Sequence, residues 1–349
     1  MAIKMSRMNI FTTQDDEQFH SILPLMKELI KRGIEVECYS FDVFRQDFKE
    51  TGIAYYSLDS YIEKEKEKNQ AISTIVNNLT ITKNCIRDLE KKIETQVPDY
   101  IVVDQNAYWG KLIAKKYDIP YTAYTNNFLI NRYTTKYSKN HFADYIQMAL
   151  GMSKVGDIVK EIQQLGYVMN NPLNFLQVDD DETLVFIPES FQPYAETFGK
   201  NYHFVGPIKE STFGKISHEE KGIGIGNVDD ELKENSIKAC EEIGMNHKNQ
   251  IEECDAYITK GKMEEINDCI QLGIPLILYP QTSSEKVVAQ RAIELGVGVM
   301  LRSNTVEDIK QTIPFVLNNP QYQKRMNELS KESTQIPIEE IIQIIERKD

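Results

Sequence analysis

Short apolar runs alternate along this chain with longer stretches of helical periodicity. Near the amino terminus, residues 8–13 and 34–39 are short and apolar enough to form strands. Between them, apolar side chains share one helical face, and Gly33 follows where a left-handed residue commonly ends a helix. The residues of that face are Ile22, Leu25, Met26, Leu29 and Ile30. The pattern predicts a strand–helix–strand unit.

The same order of elements recurs along the rest of the chain. A second unit follows Pro98, with strands expected at 100–104 and 121–125 and a helix at 107–117. In the C-terminal half, strands are expected at 256–259, 274–280 and 297–301, with helices at 263–272 and 285–295. Strands that alternate with helices at this spacing predict an α/β protein with parallel, doubly wound sheets.

The 349 residues are enough for two such domains, each with its own core. We expect an N-terminal domain at 1–207, a polar linker at 208–221, a C-terminal domain at 222–335 and a final helix within 336–349. Parallel sheets bind ligands beyond the carboxyl ends of their strands. The cleft between the domains is therefore the expected site.

Composition narrows the class of protein. The net charge of −13 disfavours nucleic acid and anionic membrane surfaces as partners, because both are held mainly by Lys and Arg. No apolar run is long enough to span a membrane, and the N-terminus has no signal-peptide pattern. The five cysteines are scattered, without a CxxC pair, which predicts reduced thiols in a cytoplasmic protein and no metal site.

Three stretches resemble the family-1 glycosyltransferases, especially the bacterial macrolide-type UDP-glycosyltransferases. They are Leu23 to Tyr56, Pro98 to Thr125 and Asp255 to Leu301, and Phe204 to Pro207 lies where the family leaves its first domain. The resemblance implies a GT-B fold with two Rossmann-like domains. It also implies an acceptor bound by the first domain, a sugar nucleotide bound by the second, and transfer by direct displacement with inversion.

The family's general base is replaced at its expected position. The resemblance places that histidine at Gln18, whose amide cannot take a proton at neutral pH. His20 lies two residues on, and a shift of register would make it the base. Asp104 matches the carboxylate that orients the family's base, although an Asp at a strand end also caps the following helix.

The diphosphate motif is altered as well. Lys260 lies where the family has a phosphate-binding His, Gly261 is kept, and Lys262 replaces a Gly. Glu264 and Glu265 replace Asn and Ser at the start of the helix. Carboxylates suit the helix dipole there, but they occupy and repel the place of a diphosphate. The two lysines leave phosphate binding open.

The sugar-binding motif survives in part. Pro280 and Gln281 are kept, whereas Ser284 and Glu285 lie where the family has an acidic residue and Gln. The span from Gly206 to Thr259 is shorter than the resemblance implies, with room for one strand, one helix and a short link. The second domain is therefore expected to be truncated.

These substitutions favour a glycosyltransferase-like protein with a degraded sugar-nucleotide site, non-catalytic or accessory, that binds a small lipophilic molecule or a partner protein. Aromatic residues concentrate in the middle of the chain, as an acceptor pocket would require, although such residues are more often core. They are Tyr121, Tyr124, Phe128, Tyr133, Tyr137, Phe142 and Tyr145.

Two alternatives stay open. One is an active, inverting UDP-dependent hexosyltransferase that takes a UDP-sugar as substrate, without a cofactor. It would use His20 as base, Asp104 to orient it, and Lys260 with Lys262 to hold the diphosphate. The other is a purely structural interaction module, favoured if neither nucleotides nor small molecules bind. An oligomer is compatible with each, because a truncated domain can leave an apolar face for another chain.

Overall fold

Two parallel β-sheets, each covered by helices, form this protein. The computed structural model describes residues 6–63, 70–134, 142–169, 182–208, 221–333 and 336–346, although not the side chains of 70–73 and 142–152. Apart from its two end residues, the predicted linker at 208–221 lies outside the described residues. The α/β class and the two parallel sheets agree with the sequence prediction.

The first sheet has seven strands in the order β3-β2-β1-β4-β5-β6-β7. They are β1 (Arg7–Phe11), β2 (Glu35–Ser40), β3 (Ala54–Ser57), β4 (Tyr100–Asp104), β5 (Tyr121–Thr125), β6 (Thr183–Val185) and β7 (Tyr202–Phe204). The order reverses at β1, whose neighbours are β2 and β4. The loops after β1 and β4 therefore open side by side at one sheet edge, where such folds bind ligands.

The helices that accompany the first sheet are α1 (Asp16–Lys31), α2 (Arg45–Thr51), α3 (Gln70–Thr95), α4 (Tyr108–Lys116) and α5 (Phe142–Gln164). Asp15 caps α1 by accepting a hydrogen bond from the N–H of Gln18. Gly110 lets α4 approach β1 closely, because a Cβ there would come within 2.7 Å of the Phe11 ring.

The second sheet has five strands in the order β12-β11-β10-β8-β9. They are β8 (Gly222–Ile225), β9 (Asn246–Lys248), β10 (Ala256–Thr259), β11 (Leu276–Leu278) and β12 (Gly298–Met300). Its helices are α6 (Asp230–Glu242), α7 (Met263–Leu272), α8 (Ser283–Glu294), α9 (Val306–Asn318) and α10 (Pro320–Glu332). The expected short link after α6 is in fact a strand, because β9 pairs with β8 and places His247 opposite Ile223.

Hydrophobic packing joins the two halves. One core cluster combines Leu129, Ile187 and Phe191 of the N-terminal half with Ile266 and Ile270 of α7. Polar contacts follow the same boundary, since the amide of Asn267 donates to the Phe186 carbonyl at 3.1 Å.

The last helix, α11 (Ile338–Glu346), packs back onto the N-terminal domain. Ile341, Ile342 and Ile345 are buried in the core that surrounds the first sheet. Arg32 at the end of α1 forms an ion pair with Glu339 at 3.1 Å. The chain thus returns to its first domain.

Candidate functional site

Asp104 ends β4 and lies fully buried where the family has its base-orienting carboxylate. Its Oδ2 accepts a hydrogen bond of 2.6 Å from the Thr13 hydroxyl, and its Oδ1 accepts one of 2.8 Å from the N–H of Asn106. Burial, the largest effect, raises the pKa of Asp104 to about 6, and these two hydrogen bonds oppose that rise. Asp104 therefore holds the loop after β1 against the loop after β4.

Gln18, at the expected base position, is a buried structural residue. Its amide nitrogen donates to the Thr125 hydroxyl at 3.3 Å, and its Oε1 accepts from the N–H of Asn126 at 3.1 Å. It thereby ties the first turn of α1 to the end of β5. Both polar ends of its amide are engaged within the protein.

The structure does not bring His20 to Asp104, contrary to the pairing considered from the sequence. The Nε2 of His20 lies 3.3 Å from Asp47 of α2, and its Nδ1 lies 2.9 Å from the carbonyl of Asp16. Two residues along a helix correspond to a rotation of about 200°, so the inward direction of Gln18 turns His20 outward. His20 thus faces α2, whereas Asp104 faces Thr13.

The N-terminus of α7, where the resemblance places a diphosphate, is already occupied by a carboxylate. Glu17 of α1 accepts a hydrogen bond of 3.1 Å from the N–H of Met263, the first residue of α7. The first N–H groups of a helix lack partners within the helix and carry the positive end of its dipole. A carboxylate of the protein's own N-terminal domain satisfies one of them.

A second carboxylate fills the adjoining space. Glu265 accepts a hydrogen bond from the Thr259 hydroxyl at the end of β10 and one of 2.6 Å from the N–H of Asn227 after β8. Thr259 also accepts from the N–H of Gly261 at 2.9 Å. The loop after β10 is thus closed around Glu265, one of the two substituted acidic residues.

Glu264, the other acidic substitution, faces the N-terminal domain. Although much of its side chain is open to water, partial desolvation in the crevice, followed by repulsion from Asp268, raises its pKa, and the positive charge on His20 opposes that rise. The crevice at the start of α7 therefore carries several negative charges in place of a diphosphate.

The two lysines flank the start of α7. Lys262 is the N-cap residue of α7 but makes no side-chain capping bond, and Lys260 precedes the tight turn at Gly261. Both are half-buried. The charge of Lys260 is a lesser cause, after the hydrogen bond from the N–H of Leu232, of the lowered pKa of Asp229.

The surviving sugar-motif residues are also bound within the protein. Gln281 donates its side-chain amide to Asp229, the N-cap of α6. Glu285 is the third residue of α8 and completes a capping box with Thr282. Its Oε2 accepts from the N–H groups of Gln281 and Thr282 at 2.9 and 2.8 Å. Its carboxylate serves the helix start and does not point at a sugar.

A cavity of about 380 Å³ opens at the carboxyl edge of the first sheet. Thr13 and Asn106, the two partners of Asp104, line it together with residues of α3. The aromatic residues expected to form the acceptor pocket do not line it. Tyr124 and Phe128 belong to the cores, and Tyr133 is exposed. Tyr137 and the side chains of Phe142 and Tyr145 lie outside the described residues.

Sequence reasoning missed three residues of this region: Thr13, Glu17 and Asp229. Two signals were available. Asp15, Asp16 and Glu17 form an acidic run that opens α1, and Asp229 precedes α6 in the position of an N-cap. Those signals predict only the helix starts. The partners of these side chains, Met263 for Glu17 and Gln281 for Asp229, lie far away in the chain.

Two absences hold for the described residues alone. None of their helices combines the length and apolar character that crossing a membrane requires. Their His, Cys, Asp and Glu side chains form no group of three or more that would hold a metal ion. The five cysteines are buried and form no disulfide.

Comparison with known proteins shows which proteins this chain resembles. Residues 234–347 match the family described as erythromycin biosynthesis protein CIII-like, C-terminal domain. The chain is 22% identical over 369 residues to the uncharacterized UDP-glucosyltransferase YojK of Bacillus subtilis, which covers 88% of each protein. It is 25% identical over 368 residues to the NDP-glycosyltransferase YjiC of the same organism, which covers 89% of this chain and 88% of that protein.

The fold has counterparts among solved structures. The glycotransferase of kitacinnamycin superposes with a TM-score of 0.80 at 16% identity, and the alignment covers 99% of each chain. At this low identity the likeness concerns the fold, and the two parallel sheets agree with it. Together with the family match at residues 234–347 and the relatives aligned over most of their length, it supports a family-1 glycosyltransferase with a two-domain GT-B fold.

Proposed function

We propose that this member of the glycosyltransferases has lost ordinary use of a nucleotide sugar and acts as a non-catalytic or accessory protein that binds a small molecule. The observation that carries the proposal is the hydrogen bond from the Met263 N–H to the carboxylate of Glu17. It takes up the helix terminus that would otherwise stabilise a leaving diphosphate.

Charge strengthens the argument. A diphosphate bound at the start of α7 would lie beside Glu17 and Glu265. Two like charges about 4 Å apart repel by about 1 kcal/mol in water and about 4 kcal/mol in the lower effective dielectric near a protein surface. Lys260 and Lys262 offset part of that repulsion, but their side chains do not supply the directed backbone N–H groups that Glu17 and Glu265 occupy.

The acceptor side supports the same proposal. A general base must lie within hydrogen-bond reach of the acceptor hydroxyl. Gln18 has no basic atom, and His20 is bound to Asp47 on the other face of α1. Asp104 does not line the cavity itself, because its two partners, Thr13 and Asn106, lie between its carboxylate and the cavity.

An active transferase with an altered site is the second candidate. It is favoured by the relatives, which are named as a UDP-glucosyltransferase and an NDP-glycosyltransferase. In this alternative, Glu17 and Glu265 release the helix terminus when a UDP-sugar binds, and Lys260 with Lys262 holds its diphosphate. His20 would then have to leave Asp47 to act as the base.

The deciding experiment is calorimetric titration with UDP, dTDP and their sugars, with thermal unfolding measured in parallel. We expect no saturable heat at millimolar ligand from a protein that unfolds cooperatively. The variant Glu17→Ala with Glu265→Ser frees the start of α7, and we expect it to gain nucleotide binding at least 10-fold over the parent chain.

Micromolar binding by the unaltered chain that Lys260→Ala weakens would overturn the proposal in favour of the altered transferase. Lys324→Ala, which removes an exposed lysine of α10, is the matched control for the change of charge. A loss of binding in both variants would indicate non-specific attraction, and it would likewise leave the donor site without function.

A further inference from the structure

The cavity of about 380 Å³ lies at the switch point of the first sheet, between the loop after β1 and the face of α3. Its volume falls within the range of about 300–1,000 Å³ that takes small-molecule ligands. Thr13 and Asn106 line it from the loops after β1 and β4, and Asn77 and Asn78 line it from α3. The cavity is thus built from separate elements that the fold brings together.

The cavity wall is polar. Of the described residues that line it, only Val76 is apolar. The others carry amide, hydroxyl or carboxylate groups and include Thr74 and Thr80. An apolar ligand would leave these groups without hydrogen bonds, at a cost of about 1–3 kcal/mol for each group that is buried. The lining therefore selects against the lipophilic acceptor expected from the sequence.

The charges of the lining have one sign. Asp15 and Glu63 are acidic, and the described lining residues include no Lys or Arg. Among the described residues, Lys83 lies 4.0 Å from Glu63, but it is bound more closely by Glu161 at 3.2 Å. The Asp104 carboxyl lies behind Thr13. An anion would be repelled here, whereas a cation would be attracted.

Two deep side chains carry polar groups in the cavity lining. Asn78 and Thr80 are 5% and 6% exposed, and both line the cavity. The backbone carbonyl of Asn78 accepts a hydrogen bond from the Thr82 hydroxyl. Buried amides and hydroxyls are normally hydrogen-bonded. A ligand with its own hydroxyl groups would supply hydrogen-bond partners to these two side chains.

We propose that this cavity binds a hydroxylated organic amine, with ammonium groups held by Glu63 and Asp15 and hydroxyl groups held by Asn78, Thr80 and Thr13. The inference rests on the proposed function, because it names the class of small molecule that the N-terminal domain takes. It does not depend on the state of the donor site.

The test uses three ring compounds of similar size in calorimetric titrations of the whole protein. The probes are 2-deoxystreptamine as the hydroxylated diamine, scyllo-inositol as the neutral polyol and glucuronate as the anion. We expect saturable 1:1 binding of the diamine, binding of the polyol at least 10-fold weaker, and no binding of glucuronate.

Two variants connect binding to the cavity. Glu63→Gln, at a half-exposed position, should weaken binding of the diamine at least 10-fold, and Asn78→Leu should weaken binding of both diamine and polyol. Glu332→Gln in α10 removes the same charge far from the cavity and should leave binding unchanged.

Equal binding of the polyol and the diamine would overturn the proposal that the cavity prefers a positively charged ligand. Binding that survives Glu63→Gln, or the absence of diamine binding by a cooperatively unfolding protein, would overturn the site. Nucleotide titrations distinguish failure of the cavity proposal from failure of the proposed function. They test the start of α7, whereas Glu63 and Asn78 line the cavity of the first domain.

Discussion

Single residues that the resemblance assigned to a site have structural partners in this protein. The resemblance implied that Asp104 orients a base, but its side-chain partner is the hydroxyl of Thr13. Because a hydroxyl cannot take up charge as an imidazole does, the buried Asp104 carboxylate is only partly compensated. Its raised pKa is the measurable consequence.

The free energy of unfolding should therefore respond to Asp104→Asn in a pH-dependent way. A rise in pKa from 3.8 to about 6 corresponds to about 3 kcal/mol. The folded state binds the Asp104 proton more tightly than the unfolded state does. The loss of folding free energy caused by ionised, buried Asp104 is therefore absent below about pH 4 and complete above about pH 6. Relative to the parent chain, the variant should gain about 3 kcal/mol between pH 4 and pH 7 in urea unfolding.

Asp99→Asn is the control with the opposite sign. The N–H groups of Ser6 and Arg7 lower the pKa of Asp99, so its contribution to stability is present at neutral pH and lost as pH falls through its folded pKa. That variant should lose stability at pH 7 relative to the parent chain.

Two further charges act on Asp104: Asp15 adds to the rise in its pKa, and Lys111 opposes that rise. A pH-independent effect of Asp104→Asn would show that its carboxyl is not strained by burial.

Gly261 permits a second test at this scale. Its φ is +97°, and a Cβ there would lie 3.0 Å from the Glu285 carbonyl oxygen of α8. Gly33, with φ of +82°, has nothing within 4 Å of that position. Both Gly→Ala changes should cost about 1 kcal/mol for the left-handed backbone, and Gly261→Ala should cost at least about 1 kcal/mol more. Equal losses in urea unfolding would rule out the close approach to α8.

At the scale of elements, the starts of α1 and α7 meet between the domains. Glu17 in the first turn of α1 reaches the first N–H of α7, so one side chain serves two helix starts. A carboxylate near a helix N-terminus contributes about 0.3–1 kcal/mol through the dipole, and loss of a capping bond costs about 0.5–2 kcal/mol. This contact therefore stabilises the domain arrangement, and in the proposed function it also occupies the place of a phosphate.

Removal of the Glu17 side chain should loosen the start of α7. We expect Glu17→Ala to reduce the free energy of unfolding by about 1 kcal/mol and Glu17→Gln by less, because the amide oxygen still accepts the hydrogen bond. Hydrogen exchange should quicken at the first turn of α7 in the Ala variant. Glu50→Ala, at an exposed position of α2, should change neither quantity. Unchanged exchange at Met263 would mean that Glu17 does not cap α7.

For the whole molecule, the domains are joined in two places. Residues of the N-terminal half enter the core that surrounds α7, and α11 at the end of the chain enters the core of the first sheet. Domains that share cores in this way should unfold together. Trp109, the one Trp of the chain, is fully buried in the first core and reports on it by fluorescence.

Unfolding in urea should therefore be a single transition by Trp109 fluorescence and by far-UV circular dichroism. Ile345→Ala leaves a cavity where α11 meets the first core and should cost about 2–5 kcal/mol by both probes. Gln343→Ala on the exposed side of α11 should change stability by no more than about 0.5 kcal/mol. Transitions that separate by probe would show that the domains unfold independently.

Local patterns predicted much of the fold. Apolar alternation and helical periodicity located β1, β2, β4, β5, β10, β11 and β12, and the helix predicted within 336–349 is observed as α11 (Ile338–Glu346). The strand β9 was missed because its residues, Asn246 to Lys248, are polar and mostly exposed, so hydrophobicity does not mark it. Only pairing with β8 makes it a strand.

The sequence by itself determined which chemical groups stand at the positions that the resemblance assigned to the site: the amide of Gln18, the amine of Lys260, and acidic residues at the start of α7. Helical geometry and burial then decided what these groups contact. Gln18 turns inward and His20 outward, because two positions along a helix lie on nearly opposite faces. The bond from Met263 to Glu17 joins residues 246 positions apart, so no local pattern encodes it and only the docking of the two domains creates it.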